Sequence, residues 1–359
     1  MKNLLYDLLD YIVKNGCSDL HLVTGMTPYY RKSGIILNLK DYPIIDTEIM
    51  SSFVDILLND FYYKKQELME NKQVDLSFSV GEQRYRVNIF TQMNKYGIVI
   101  RVINSVIPSF DQLGLPPVIN NFSDYPSGLV LITGPTGSGK STTLAAIIDK
   151  INSTQRKHIL TIEDPIEYTH KNKLSIVNQR EVGQDVNSFK DATKSALRED
   201  PDIVLVGEMR DLETISASIT IAETGHLVFG TLHTISASQT VNRMIDVFEP
   251  SQQQQIRIQL SSVLQAVVCQ QLIEGLNGKY SCAAEIMLID EAIRGIIREG
   301  KGISGINDNI AMRRKVAGTQ TLNQSLASLV NTRKISLQKA EEKSNDKEDL
   351  KRIIMSGLV

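Results

Sequence analysis

The chain has 359 residues, 42% of them hydrophobic and 22% charged, which is the composition of a soluble globular protein long enough for two domains. Its formal net charge of −2 gives no overall signal for binding nucleic acid or an anionic membrane. No apolar run approaches the roughly 18 residues of a membrane span, the N-terminus lacks signal-peptide features, and three distant cysteines disfavour a zinc site or a disulfide framework. We therefore expect a protein of the reducing cytoplasm.

Residues 1–104 are predicted to form a small α+β domain. Apolar residues at helical spacing predict helices over 4–14 and 47–58. Alternating apolar and polar residues, with short β-rich runs, predict strands at 19–23, 27–31, 34–37, 74–80, 84–90 and 97–103. Residues 105–117 contain three prolines and a glycine, so we interpret them as the linker.

Residues 118–359 change to an alternation of strands and helices, which indicates an α/β domain with a parallel sheet. Strands are predicted at 128–133, 158–162, 202–207 and 226–232, and helices at 141–152, 188–199, 212–223 and 237–248. A longer helix is predicted over 252–273. From about residue 274 the chain is predicted to be helical, except for a strand near 281–287.

A phosphate-binding loop follows the first strand of this second domain. The pattern G-x-x-x-x-G-K-[ST] is met at every fixed position, by Gly134, Gly139, Lys140 and Ser141. The residues between them are Pro135, Thr136, Gly137 and Ser138, and Thr142 follows. Glycines let backbone N–H groups approach phosphates, and the following helix N-terminus adds positive potential. We expect Lys140 to reach the β- and γ-phosphates of ATP and the Ser141 hydroxyl to bind Mg²⁺.

Two acidic residues stand at the ends of predicted strands, where ligands of open parallel sheets bind. Glu163 follows the strand 158–162, and Glu208 follows the apolar strand 202–207. Hydrolysis of ATP needs carboxylates near Mg²⁺ and near the attacking water, and either residue could be the base. The competing interpretation of Glu163 is a helix-capping or surface acid.

Histidines and arginines are the other candidates for contact with the γ-phosphate. An extended strand would separate His226 from His233 by ~23 Å, so the two cannot share a metal ion. His233 is at the carboxyl end of its strand and is the better placed. Four arginines could stabilise the charge of the transferring phosphoryl group: Arg210 in the second domain, and Arg84, Arg86 and Arg101 in the first. The competing interpretation of each is a surface salt-bridge residue.

These segments together resemble the secretion ATPase superfamily and, within it, the PilT family of twitching-motility retraction ATPases. The resemblance rests on residues 18–22 (N-terminal signature), 134–142 (Walker A), 161–168 (Asp box), 197–211 (Walker B) and 224–234 (His box). Residues 292–299 resemble the AIRNLIRE segment of the retraction ATPases, so Arg294, Arg298 and Glu299 are expected to serve retraction.

The resemblance implies a RecA-like ATPase core with a PAS-like N-terminal domain, assembled as a homohexameric ring that binds ATP and Mg²⁺ between domains. Glu163, Glu208 and His233 would be catalytic, Glu208 would hold Mg²⁺ through water, and the γ-phosphate sensors would be drawn from Arg84, Arg86, Arg101, Arg210 and His226. The expected partners are an inner-membrane pilus platform protein and the pilus machinery, at the cytoplasmic face of the membrane and without nucleic acid.

Two positions depart from the family pattern. Asn94, beside Lys95, stands where retraction ATPases commonly have an arginine, and Gly295 replaces the asparagine of the C-terminal segment. The alternatives to a retraction motor are a pilus-assembly or secretion ATPase, a nucleic-acid translocase on the same core, and a nucleotide-binding regulator without turnover.

Overall fold

The computed structural model describes residues 2–103, 106–276, 278–300, 303–312 and 318–356. The chain divides into two units, Met1–Ser105 and Val106–Val359. Among the helices in the described ranges, none combines the length and the apolar character that crossing a bilayer requires.

The first unit is an antiparallel sheet packed against helices. Its elements are α1 (Lys2–Lys14), β1 (Asp19–Val23), β2 (Tyr29–Lys32), β3 (Ile35–Asn38), α2 (Thr47–Leu57), α3 (Tyr62–Asn71), β4 (Gln73–Val80), β5 (Gln83–Gln92) and β6 (Lys95–Val102). The strand order is β3-β2-β1-β6-β5-β4. The apolar stripe of α1 and the buried residues of α2 form its core with the inward side chains of the sheet. Helix α3 was not predicted, because it buries only Leu68 and therefore has almost no apolar stripe.

The second unit begins with short helical turns and continues as an α/β sheet. Its elements, after the 3₁₀ turn Asn121–Asp124 is set aside, are α4 (Phe110–Leu113), α5 (Pro117–Asn120), β7 (Gly128–Thr133), α6 (Lys140–Thr154), β8 (His158–Glu163), β9 (Ile176–Glu181), α7 (Phe189–Ala196), β10 (Ile203–Val206), α8 (Leu212–Glu223), β11 (Leu227–Leu232), α9 (Ala237–Asp246), α10 (Pro250–Val263), β12 (Leu264–Glu274), β13 (Tyr280–Leu288), α11 (Glu291–Glu299), α12 (Ile303–Met312), α13 (Leu322–Asn331), α14 (Leu337–Lys343) and α15 (Lys347–Ser356). The expected linker 105–117 thus includes the helical turn α4, while residues 104 and 105 lie outside the described ranges.

Seven strands of this unit form one sheet in the order β13-β12-β7-β11-β10-β8-β9. Six of them are parallel, and β13 pairs antiparallel with β12. Alternate residues of β7 point into different cores: Leu129 and Leu131 pack into one cluster, and Val130 and Ile132 into another. Both faces of the sheet are therefore covered, which explains the continuous apolar strands and confirms the α/β class.

The predicted helix over 252–273 is wrong in its second half. Helix α10 ends at Val263, and the chain continues directly as β12, Leu264–Glu274. Apolar residues such as Val267 and Val268 fit a helical face and a buried strand equally well, so spacing alone could not separate them. Strand β9 was not predicted, because it lies at the edge of the sheet and its run Ile176–Glu181 contains polar residues.

Candidate active site

The loop between β7 and α6 has a backbone that admits phosphate. Gly134, Gly137 and Gly139 have φ values of 140°, 78° and 89°, which residues with a side chain rarely adopt. A Cβ at Gly134 would also lie well inside contact distance of the Gln270 carbonyl oxygen on β12. This loop therefore requires glycine at its first position, as the motif predicts.

The side chain of Lys140 is held across the same loop. Its Nζ donates to the carbonyl oxygens of Gly134 at 2.9 Å and Pro135 at 3.1 Å. Burial lowers the pKa of Lys140, and the carboxylates of Glu208 and Glu167 oppose that effect. The ammonium group is thus hydrogen-bonded to the phosphate-binding loop, and the carboxylates of Glu208 and Glu167 favour its charged form.

A cavity of about 470 Å³ opens above the loop, at the carboxyl ends of β7, β8, β10 and β11. It brings together most of the residues predicted for the site. Its lining consists of Thr136, Gly137, Ser138, Gly139, Lys140, Ser141, Thr142, Glu163, Asp164, Pro165, Glu167, Phe189, Gly207, Glu208, Thr231, His233 and Leu272. Of the predicted loop residues, Gly134 and Pro135 lie outside this lining and contribute the carbonyls that hold Lys140.

Glu163 is the last residue of β8, and its carboxylate is held by neutral donors. Thr161 Oγ1 donates to Glu163 Oε1 at 2.6 Å, and Gln179 Nε2 donates to the same oxygen at 3.2 Å. Burial raises the pKa of Glu163 to about 7, although these hydrogen bonds act in the opposite direction. The group can therefore exchange a proton near neutral pH.

Glu208 follows β10 and contacts an arginine and a histidine. Its Oε1 accepts from Arg210 Nε and lies 3.0 Å from His233 Nε2. The Glu208 side chain is 18% exposed and lines the cavity, whereas the Arg210 side chain is 76% exposed and is not among the lining residues. Carboxylate oxygens are ligands that hard metal cations prefer.

His226 does not reach this pocket. It immediately precedes β11, and its Nδ1 lies 3.0 Å from both Thr224 Oγ1 and the Ile221 carbonyl oxygen. The six residues of β11 separate it from the loop edge by about 20 Å. His226 therefore lies outside the cavity of its own chain, and its role as a γ-phosphate sensor stays a prediction.

Two of the arginines predicted in the first unit, Arg86 and Arg101, have acidic partners there. Arg101 Nε donates to Asp19 Oδ1 at 2.8 Å, and Arg86 Nε lies 3.9 Å from Asp75 Oδ1. Arg84 lies on β5 with Arg86.

Sequence reasoning missed several residues of the site. Asp164 and Glu167 line the cavity beside Glu163, and Thr231 lines it from β11. Tyr168 Oη and Thr142 Oγ1 form a hydrogen bond at 3.0 Å, which joins the loop after β8 to the first turn of α6. Tyr168 and both acids lie within the Asp-box segment, 161–168, so their position was a usable signal, whereas Gln179 lies on a strand that was not predicted.

Comparison with known proteins identifies the family of the chain. The family model described as type II/IV secretion system protein matches residues 1–359. The chain belongs to this family. It is 47% identical over 339 residues to the type IV pilus retraction ATPase PilT of Pseudomonas aeruginosa, covering 94% of this chain and 97% of that protein. It is 44% identical over 326 residues to a twitching motility protein of Neisseria gonorrhoeae, covering 90% of this chain and 86% of that protein.

The solved structures lead to the same group. A crystal structure of the pilus retraction motor PilT with bound ADP matches with a TM-score of 0.89 and 44% identity, covering 96% of this chain and 98% of that one. Within the secretion ATPases, the chain is therefore a member of the PilT family, as its motifs predicted.

The segment that resembles the retraction signature has two different faces. Arg294 is largely buried and donates to the carbonyl oxygens of Ser261 and Ser262 at the end of α10. Arg298 and Glu299 are exposed on the same helix, α11. Only these two side chains of the predicted trio are therefore presented outward, while Arg294 supports the fold.

Asn94, one of the two positions that depart from the family pattern, lies in a tight turn. Met93 and Asn94 connect β5 to β6, and both have positive φ, 47° and 60°. Two central residues with φ above zero are typical of the type I′ hairpin, and asparagine tolerates that conformation better than most residues. Asn94 is therefore suited to the turn itself.

Proposed function

We propose that this protein is an ATP-hydrolysing motor that drives retraction of type IV pili. The convergence of Lys140, Glu163 and Glu208 on the cavity above the phosphate-binding loop carries the proposal. A site for triphosphate, a carboxylate that can take up a proton and a second, ion-paired carboxylate are the parts that phosphoryl transfer to water requires.

The donor set fits Mg²⁺. Ser141 and Glu208 line the same cavity and offer a hydroxyl and a carboxylate, and hard cations prefer such oxygen ligands. Mg²⁺ is commonly held by one or two protein groups together with the phosphates, which neutralises charge on the transferring group. We assign Ser141 as a direct ligand and Glu208 as a ligand through water.

We assign the catalytic base to Glu163. Its carboxylate accepts hydrogen bonds from neutral groups and has a pKa near 7, so it can accept a proton from water at physiological pH. Glu208 is paired with Arg210 and therefore suits the metal side. The geometry thus favours one of the two assignments that the motifs left open. His233 contacts Glu208 and is the histidine we propose to respond to the γ-phosphate.

The remaining proposals concern assembly. We propose a homohexamer in which Arg84, Arg86 and Arg101 approach the nucleotide site of a neighbouring subunit. The motor would act at the cytoplasmic face of the membrane on an inner-membrane platform protein of the pilus machinery. Conversion of hydrolysis into force would use rigid-body movement of units about an interface.

Two measurements test the function. The purified protein with ATP and Mg²⁺ should release phosphate, and its oligomeric state should be larger than a monomer. Deletion of its gene should leave surface pili in place while abolishing their retraction, and a plasmid copy carrying Lys140→Ala should not restore retraction.

Loss of surface pili on deletion would instead identify an assembly motor. Stimulation of ATPase activity by DNA in a salt titration would favour a translocase.

A further inference from the structure

Gln179 lies on β9, directly beside the strand that carries Glu163. In the parallel pairing of β8 with β9, Gln179 is the register partner of Thr161, two residues before Glu163. Neither residue type nor motif marks it as functional in the sequence. Its place in the sheet nevertheless brings the long polar side chain of Gln179 next to Glu163, at the carboxyl end of β8.

The side-chain amide of Gln179 has three partners. Nε2 donates to Glu163 Oε1 at 3.2 Å and to the carbonyl oxygen of Tyr168 at 2.8 Å, and Oε1 accepts from the backbone N–H of His170 at 2.8 Å. The opposite amide orientation would set NH₂ against the N–H of His170 and the amide oxygen against two acceptors. These partners therefore define one orientation of the amide.

The contacts reach the phosphate-binding loop through one further residue. Gln179 holds the backbone of Tyr168, and the hydroxyl of Tyr168 contacts Thr142 at the start of α6. Glu163 Oε1 also accepts from Thr161, so two donors fix the rotation of that carboxylate. A single amide thus joins the base, the loop after β8 and, through Tyr168, the helix that begins at the phosphates.

We infer that Gln179 is a positioning residue that orients the Glu163 carboxylate toward the water to be activated. This inference rests on the proposed ATPase function. Gln179 is not among the residues that line the cavity. We therefore expect its effect on the orientation of Glu163 to change the rate of the chemical step more than the binding of nucleotide. Its loss should therefore lower kcat and leave KM for ATP close to that of the wild type.

The inference also predicts a change in pH dependence. Hydrogen bonds from Thr161 and Gln179 favour the ionised form of Glu163 against the effect of burial. The charged and titratable groups that share the cavity with Glu163 are Lys140, Asp164, Glu167, Glu208 and His233, and a substitution at Gln179 leaves all of them in place. Removal of the amide donor should therefore shift the acid limb of the kcat/KM profile to higher pH.

The test compares two substitutions that lose different contacts. Gln179→Met keeps the length of the side chain and loses all three hydrogen bonds. Gln179→Glu keeps an acceptor for the His170 N–H, loses the donor to Glu163 and adds a negative charge beside it. Asn178→Ala is the matched control, because Asn178 is the adjacent residue of β9 and its side chain contacts His158 instead.

Both Gln179 variants should lower kcat roughly tenfold to a hundredfold, the range for loss of a hydrogen bond to a charged group. The acid limb should move up by about one pH unit in Gln179→Met and further in Gln179→Glu, because a like charge raises the pKa of a carboxyl group. Asn178→Ala should match the wild type in both measurements.

The outcomes separate the inference from the function on which it rests. If Gln179→Glu matches the wild type in kcat and pH profile, Gln179 only supports the loop through His170 and the inference is overturned. The same holds if either folded variant changes KM and leaves kcat and the pH profile unaltered. A wild-type protein that releases no phosphate would instead refute the proposed function.

Discussion

Arg294 is predicted to stabilise the junction between α10 and β12. The last carbonyl groups of a helix have no intrahelical partner, and here Arg294 Nη1 donates to those of Ser261 and, at 2.9 Å, Ser262. Nη2 lies 3.4 Å from Gln265 Oε1, at the beginning of β12. One guanidinium therefore satisfies the end of the helix and contacts the strand that follows.

The substitution Arg294→Met removes the charge and keeps most of the side-chain stem. Hydrogen bonds from a charged donor contribute about 1.5–3 kcal/mol, and a cation at a helix C-terminus adds about 0.3–1 kcal/mol. The Arg294 side chain is only 17% exposed, so water replaces these contacts poorly. We expect the variant to lose roughly 2–3 kcal/mol of stability in the second unit.

Hydrogen exchange measures this effect without assuming that a two-unit chain unfolds in one step. Backbone amides of a peptide over 256–268 should exchange faster in Arg294→Met, and the urea midpoint of the second unit should fall. Arg298→Met is the control, because its exposed side chain should change stability by no more than about 0.5 kcal/mol. Wild-type exchange in Arg294→Met, or equal destabilisation by Arg298→Met, would refute the capping argument.

Three further predictions concern two glycines and the pH profile. Gly295→Ala should stabilise α11 by about 0.5–1 kcal/mol, seen as a higher Tm, because a Cβ there meets open space; an unchanged or lower Tm would contradict this. Gly134→Ala should abolish binding of a fluorescent ATP analogue, because the new Cβ meets the Gln270 carbonyl oxygen and the φ of 140° is strained; retained binding would count against the loop geometry. Wild-type kcat/KM should increase as pH rises through about 7, where Glu163 loses its proton, and a flat profile between pH 6 and pH 8 would exclude it as the base.

The parts of the site that were predictable lie next to strand ends. The phosphate-binding loop, Glu163, Glu208 and His233 each follow an apolar strand, and parallel strands bring such positions to one edge. The α/β class followed from the same alternation of strands and helices. These inferences need only local patterns and the rule for parallel sheets.

The remaining features depend on pairing that local patterns do not encode. Strand β12 resembled the continuation of α10 until its pairing with β7 was known. The contact of Gln179 with Glu163 depends on the pairing of β9 with β8, which the sequence pattern does not show. The role of Arg294 required the end of α10 to be located, because the acceptors are carbonyl groups more than 30 residues away in sequence.

The measurement that tests the central claim most directly is single-turnover hydrolysis by Glu163→Gln, with Glu208→Gln as the comparison. Glutamine keeps the shape of the side chain and cannot accept the proton from water. We predict that Glu163→Gln binds ATP and Mg²⁺ with wild-type affinity and releases phosphate about a hundredfold or more slowly, whereas Glu208→Gln weakens the response to Mg²⁺. Near-normal phosphate release by Glu163→Gln would contradict the assignment of Glu163 as the base.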